Sequence, residues 1–524
     1  MVVSMTIMDK EENKKSKKSK TSKEVKKKKN QPIWFYKLLS FLLVIFTVIT
    51  FSTVIYNQIF GIVSTIIMIV IGIILIGFIT FILNINKLRM WIKNIFSFLA
   101  LLIIIFDILM IFFGATTLKF LSSITDTGYR VETYGVYVLK DSKYKNIDDL
   151  EKKEVFYLDS LGNETILKAI KKIEKEISID ESSVSGTDEL LESLTNEEAD
   201  AIIFEASYEA VIRDEHEDEY KNLKKIYSVD IIKNVDTIKT DVDLTKEPFI
   251  VYISGIDTTG NVASKARSDV NLLLAVNPNT NSILMINTPR DYYVKLHTSG
   301  EMDKLTHAGL YGIEESVYTL NDLYDIDIDY YVRANFTSVL KMIDALDGIK
   351  VDVPIKFCEQ DSNRSFDKKD LICLNKGYQT LNGEQALALA RHRKTLATGD
   401  RARGNNQMLV LEAMINKALS PKIITNYNSL IAALDGRVTT NMTSDDMFKF
   451  AKKQVKDMSS WNFYKISAKG TDSKGVCHSV GSFKSYVMEQ DIDHVNTIKE
   501  SINNLMSGKK TILAEEKRTK TTSY

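Results

Sequence analysis

Three long apolar runs near the N-terminus constrain this chain more than any other feature. Trp34–Tyr56, Ile59–Leu83 and Ile95–Leu118 each reach the length of about 20 mostly apolar residues that a bilayer crossing needs. A cleaved leader has one short apolar core followed by small residues, so three successive runs predict three transmembrane helices over residues 33–118. Basic residues give the direction. Residues 1–32 form a lysine-rich tail, with eleven lysines in the first thirty positions against Asp9, Glu11, Glu12 and Glu24. Lys87, Arg89 and Lys93 lie between the second and third runs, whereas the link Tyr56-Asn57-Gln58 is uncharged. Basic loops stay in the cytoplasm, so the tail is expected inside and everything after Leu118 outside a multi-pass membrane protein. Asp107 in the third run is costly in lipid, and packing against a neighbouring span is its expected role.

The chain is neutral overall, with 68 basic and 68 acidic residues. The tail's excess of lysine therefore leaves the rest net acidic, which argues against nucleic acid as a partner. Cys358, Cys373 and Cys477 show no metal-ligand spacing, so zinc is not expected. Cys358 and Cys373 bracket a polar loop outside the cell, where a disulfide is permitted; the sequence leaves that bridge open.

Residues 125–245 alternate strand and helix, predicting a small α/β accessory domain. Val136–Leu139, Val155–Leu158 and Ala201–Phe204 read as strands. Asn163 is expected to cap a helix with the stripe Ile166, Ile170, Ile173 and Ile177, and Leu190, Leu191 and Leu194 mark a second. The wording resembles half of a bacterial solute-binding domain, but a structural accessory module is the reading adopted. The acidic run Asp214–Glu219 reads as a solvated loop.

Residues 246–505 form the main outer domain, organised around Ser254–Asp291. Val270–Val276 and Ile283–Asn287 flank an Asn277-Pro278-Asn279-Thr280 turn and predict a hairpin. Asp257 follows a preceding apolar strand, Phe249–Ile256; Arg267 and Asp269 open the next strand, and Arg290 and Asp291 close the third. These groups are thus expected at one end of a sheet. Farther on, Asp400, Arg403 and Gln407 share a helix face beside the apolar Met408, Leu411, Ile415 and Ala418. Arg391 and Arg393, two apart, can point to one side of an irregular stretch. Arginine's fork matches phosphate oxygens two at a time, and magnesium takes one or two carboxylates with phosphates. Asp257 and Asp269 are the expected ligands of Mg2+ (or Mn2+), and Arg267, Arg290, Arg391, Arg393, Arg403 and Gln407 the expected grip on a pyrophosphate. The apolar faces Leu310–Leu323 and Val339–Leu346 read as core, with a prenyl tunnel as the alternative. Thr443 or Ser444 caps a later helix, and residues 506–524 are expected to be disordered.

Over about Pro248 to Leu419 the chain resembles the LytR-CpsA-Psr family of bacterial cell-envelope proteins. The resemblance is carried by Gly255-x-Asp257, Arg267-Ser268-Asp269 and Pro289-Arg290-Asp291, then by Leu381-x-Gly383-Glu384-Gln385-Ala386-Leu387, Arg391-x-Arg393 and Asp400-x-x-Arg403 with Gln407. Asn406 departs from the arginine usual there. Three spans, an accessory domain and then the family domain resemble the capsule-associated branch. The resemblance implies an α/β fold (an α+β mixed sheet flanked by helices) and a membrane-anchored phosphotransferase of the bacterial cell membrane. Its donor would be a polyprenyl (undecaprenyl) pyrophosphate-linked glycan, with capsular polysaccharide favoured over wall teichoic acid or secondary wall polymer, and its acceptor peptidoglycan. Other capsule or cell-wall assembly proteins are further expected partners. Asp257, Arg267, Asp269, Arg391 and Arg393 would be the catalytic set. A regulatory membrane protein and a pyrophosphate-lipid hydrolase are the alternative readings.

Overall fold

The computed structural model describes residues 33–56, 62–126, 128–159, 164–256, 262, 264–363, 365, 367–393, 400–420, 423–434, 436–457 and 459–509. Residues up to Thr116 form one compact unit and those from Thr117 a second. The first unit holds α1 (Ile33–Tyr56), α2 (Ile62–Asn84) and most of α3 (Met90–Ile124). All three are long and apolar enough to cross a membrane. Asp107 is buried in this bundle and accepts a hydrogen bond from Thr47 Oγ1 at 2.7 Å. Its partner is thus a hydroxyl on a neighbouring span, as the packing role requires.

The second unit begins with a five-stranded sheet. Its strands are β1 (Tyr129–Leu139), β2 (Glu154–Leu158), β3 (Asp180–Val184), β4 (Ala201–Glu205) and β5 (Leu223–Asn234), in the order β3-β2-β4-β1-β5. Helix α4 (Glu164–Ile173) covers one face with Ile166, Ala169, Ile170 and Ile173. Ile177 lies past the end of α4 but is still buried. Helices α5 (Thr187–Thr195), α6 (Glu209–Glu215) and α7 (Glu217–Lys221) follow β3 and β4. Leu190, Leu191, Val211 and Ile212 of α5 and α6 pack on the other face, in a core that also takes in Leu310, Val480 and Val487 from the main domain. The acidic run is not a loop, although Asp214 and Glu217–Glu219 are exposed. It is helical, and Glu215 pairs with Lys304 and accepts from Ser485 Oγ at 2.9 Å. Asn163 lies outside the described residues.

The main domain is built on a six-stranded mixed sheet, β16-β11-β6-β7-β8-β17. Chain order is β6 (Phe249–Ile256), β7 (Ser268–Asn277), β8 (Ser282–Asn287), β9 (Tyr293–Lys295), β10 (Met302–Lys304), α8 (Leu305–Tyr311), α9 (Ile313–Tyr324), β11 (Tyr330–Asn335) and α10 (Phe336–Ala345). There follow β12 (Ile349–Val353), β13 (Phe357–Glu359), β14 (Ile372–Leu374), β15 (Gly377–Leu381), α11 (Gly383–Arg391), α12 (Asp400–Ala418), α13 (Ile423–Leu434) and β16 (Val438–Thr440). Last come α14 (Ser444–Asp457), β17 (Asn462–Ser467), β18 (Gly470–Val476), β19 (Lys484–Gln490) and α15 (Ile492–Met506). The expected hairpin is β7–β8, with Val276 opposite Ile283 and Asn277 opposite Ser282.

Side chains alternate across a strand, and here both faces are apolar. Ile250, Tyr252, Leu273 and Leu284 pack under α9 and α15 on one side. Phe249, Val251, Leu274 and Met285 meet Met408 of α12 and Trp461 on the other. Leu310, Val317, Leu320, Ile343 and Leu346 are buried, in keeping with plain core. Thr443 Oγ1 accepts from Asp446 N at 3.1 Å and caps α14. Cys358 and Cys373 stand opposite each other on β13 and β14 and are joined by a disulfide.

Candidate functional site

Strands β6, β8, β11 and β17 run in one direction, because β6 pairs in parallel with β11, β8 with β17, and β7 runs antiparallel between β6 and β8. Their carboxyl ends therefore meet at one end of the sheet, where open α/β sheets form crevices. Ile256 at the end of β6 faces Ser268 at the start of β7 and Asn335 at the end of β11. Asp257 follows directly but lies outside the described residues. Asp269 is the next residue in, only 8% exposed. Its Oδ1 accepts from Arg290 Nη1 at 3.2 Å and from Thr306 Oγ1 at 3.3 Å. Burial alone would push this carboxyl up; Arg290, Arg267 and Arg403 outweigh it and hold Asp269 below the usual carboxylate range. Two of those arginines come from the hairpin. The third arrives more than a hundred residues later, on α12.

Helix α12 reaches the strand ends through a close approach. A Cβ on Gly404 would fall 2.0 Å from Asn287 Nδ2 at the end of β8, so a glycine beside Arg403 leaves room for that buried amide. Asn287 Nδ2 donates to Ser467 Oγ at 3.2 Å, and Ser467 Oγ donates to Asn405 Oδ1 at 2.9 Å. The same helix clamps the end of α11. Asn406 Nδ2 donates to the Leu389 carbonyl at 3.1 Å and Gln407 Nε2 to the Ala390 carbonyl at 3.4 Å. Gln407 was expected to face a ligand; it is 8% exposed, and its amide is directed at the backbone leading into Arg391. Asn406, the departure from the family pattern, makes the equivalent bond one residue earlier. Arg391 ends α11 with its guanidinium over the Phe336 ring, 4.6 Å from the centroid, a favourable cation–π geometry. Arg393 is exposed, and the His392 between them is buried.

Two contacts at the site were not foreseen. Asp214 of α6 bonds Arg267 Nη2 at 2.8 Å; burial raises this carboxyl, and Arg267 more than offsets it, leaving Asp214 below its ordinary value. Arg333 of β11 is 2% exposed and donates from Nη2 to the Ala266 carbonyl at 3.1 Å, one residue before Arg267. Burial lowers its pKa to about 10. Neither partner is near Arg267 in sequence, and a lone arginine in an apolar strand was the only available signal for Arg333. Just upstream, Lys265 lies between Glu132 of β1, at 2.8 Å, and Glu205 of β4, at 3.2 Å. One cation cannot neutralise two buried carboxylates. Burial therefore raises Glu205 to about 7.

Among the described residues, one group could hold a metal by residue type: Asp303, His307 and Cys477, all buried. The Asp303 oxygens and His307 Nδ1 are already engaged. Asp303 Oδ1 meets His307 Nδ1 at 2.7 Å, Oδ2 accepts from Ser479 N at 2.9 Å, and Ser479 Oγ bonds His307 Nδ1 at 2.7 Å. Burial pushes the Cys477 thiol up, so the trio reads as a satisfied core network. At the arginine site, the carboxylate of Asp269 offers buried, ionised oxygen, the donor a hard divalent cation requires.

Residues 207–500 match the LytR_cpsA_psr family. The polyisoprenyl-teichoic acid–peptidoglycan teichoic acid transferase TagU of Bacillus subtilis is 33% identical over 238 residues, 44% of this chain and 72% of that protein. Transferase TagT of the same organism is 35% identical over 231 residues, 43% of this chain and 70% of its own. Among solved structures, B. subtilis TagV aligns over 51% of this chain and 100% of its own, at 27% identity and a TM-score of 0.42.

Proposed function

This chain belongs to the LytR_cpsA_psr family, and we propose that it is a membrane-anchored phosphotransferase moving a polyprenyl-pyrophosphate-linked glycopolymer onto peptidoglycan. The observation that carries the proposal is the convergence of Arg267, Arg290 and Arg403 on buried, ionised Asp269, at the carboxyl ends of the sheet. Arg267 also pairs with Asp214 and Arg290 with Asp291, so carboxylates hold these arginines in place, and their forks match the oxygens of a pyrophosphate. Relatives named for transfer of teichoic acid to peptidoglycan support the same donor and acceptor classes. They favour a teichoic acid-like polymer over the capsule expected from the arrangement of domains.

In the reaction, an acceptor hydroxyl oxygen on peptidoglycan attacks the phosphorus that bears the glycan. The bond from that phosphorus to the bridging oxygen breaks, polyprenyl phosphate leaves, and the glycan phosphate becomes a phosphodiester. Arg267, Arg290 and Arg403 would meet charge as it spreads over the phosphoryl oxygens, with Arg391 and Arg393 as the second side of the grip; such contacts dominate phosphoryl-transfer catalysis. Asp269, held ionised, is a weak proton acceptor and suits an anchoring role. A magnesium or manganese ion would be held by Asp257 and Asp269 and, when bound, would offset pyrophosphate charge. The tail would lie in the cytoplasm and the catalytic domain outside.

The test incubates the full-length protein with polyprenyl-pyrophosphate teichoic acid precursor, peptidoglycan fragments and divalent metal. The expected product is a glycan–phosphate–peptidoglycan linkage with release of polyprenyl phosphate. Free glycan phosphate alone would indicate hydrolysis, and no product at all would overturn the assignment.

A further inference from the structure

The residue between the two arginines of Arg391-x-Arg393 is buried histidine, and it is held from outside its own helix. His392 is 1% exposed. Its Nδ1 lies 2.9 Å from Glu359 Oε2, and its ring stacks on Phe357, with centroids 4.1 Å apart and planes 20° from parallel. A carboxylate only accepts, so Nδ1 carries the proton toward Glu359. Phe357 and Glu359 sit two apart on β13, so they share one face and grip the imidazole by its plane and by its edge.

Strand β13 has only three residues and pairs with the equally short β14. A two-stranded ribbon of this length is marginal in water by itself. Here Cys358, between Phe357 and Glu359, is bridged to Cys373 directly opposite, and Phe357 and Leu374 pack into the same core as Leu389 and Ala390 of α11. The backbone N–H of His392 bonds the Ala388 carbonyl at 3.0 Å and ends the helix there. A shift of the imidazole would therefore turn both flanking arginines.

We infer that Glu359, carried on the disulfide-closed hairpin β13–β14, is a positioning residue for Arg391 and Arg393 and acts through His392. The inference rests on the pyrophosphate-site reading above, but not on transfer itself. Glu359 touches neither substrate nor metal; it sets the direction of the arginines that do.

The test measures binding of inorganic pyrophosphate to the full-length protein, alongside donor KM and kcat in the transfer assay. Glu359→Ala is expected to weaken pyrophosphate binding and lower kcat/KM for the donor by roughly tenfold, as a small misplacement of reacting groups does, with a modest fall in Tm from the unpaired buried imidazole. Glu359→Gln keeps an oxygen to accept from Nδ1 and is expected to restore most of the affinity. Reduction of the wild type should mimic Glu359→Ala and should have no further effect on that variant. Unchanged affinity in Glu359→Ala, or equal loss in both variants with a lowered Tm, would overturn the positioning role. Wild-type protein that fails to bind pyrophosphate would overturn it too. Wild type that binds pyrophosphate but forms no linkage would instead count against transfer, while the affinities still decide the role of Glu359.

Discussion

Asp269 shows how one side chain can organise a site it does not fill. Its carboxyl is buried yet ionised because Arg290, Arg267 and Arg403 outweigh the cost of burial. A folded-state pKa below the ordinary value of about 3.9 adds stability that is present above that value and lost as pH falls through the folded pKa. Asp269→Asn should therefore destabilise the protein at pH 7 by on the order of 1–3 kcal/mol, because it removes the buried charge the three arginines share, while Arg267 keeps Asp214 and Arg290 keeps Asp291. The gap to wild type should close below about pH 4, as followed by denaturant titration. Glu205 carries the opposite sign. Raised to about 7 by burial beside Lys265, it holds a proton in the folded state that the unfolded chain releases near pH 4.3. The wild type should thus lose stability between about pH 4 and 7. Glu205→Gln should flatten that slope and be the more stable form at pH 8, by on the order of 2 kcal/mol, in Tm measured across the range. The hairpin charges were legible from sequence because they flank apolar strands. Asp214 was not, because its partner Arg267 is 53 residues away, just before β7 of the main domain.

At the level of elements, α12 and the edge strands carry the argument. The apolar face Met408, Leu411 and Ile415 announced that α12 docks on the core, and those residues do meet the sheet. That Gly404 lies against the Asn287 side chain was invisible, since only three-dimensional packing brings the two together. Gly404→Ala would force α12 away from β8. We expect a loss of about 1–3 kcal/mol from overpacking and a higher donor KM as Arg403 retreats, checked by Tm and steady-state kinetics. Strands β3 and β5 escaped the sequence reading for a common reason. Both are edges of the accessory sheet, and edge strands carry polar and charged residues, so neither shows an unbroken apolar run. Buried β7 and β8 do, and their hairpin was read to within two residues. Gln407 has the spacing of a site residue, and its amide meets the Ala390 carbonyl; that seam between two helices cannot be read from spacing.

Over the whole molecule, the accessory sheet is locked to the main domain by buried charge. Arg130 of β1 bonds Asp126 at 2.6 Å and Glu314 of α9 at 2.7 Å, with its side chain 7% exposed. Arg130→Ala leaves two acids without their cation and should cost roughly 3–5 kcal/mol, with both outer domains losing stability together in thermal unfolding. That coupling was not legible in a sequence that alternated neatly enough to suggest two separate domains. The three spans were legible, since length and apolarity alone define them. With the outer domains expected outside, protease added to intact cells stripped of wall should degrade them and spare the lysine tail; a protected C-terminal domain would reverse the orientation. The central claim is that two distant sets of residues, Arg267 with Arg290 and Arg391 to Arg403, grip one pyrophosphate. Its most direct test is calorimetric binding of pyrophosphate to Arg290→Ala and Arg403→Ala proteins. Each variant is expected to lose about tenfold in affinity, or ~1.4 kcal/mol, while remaining folded. Wild-type affinity in either variant would contradict it.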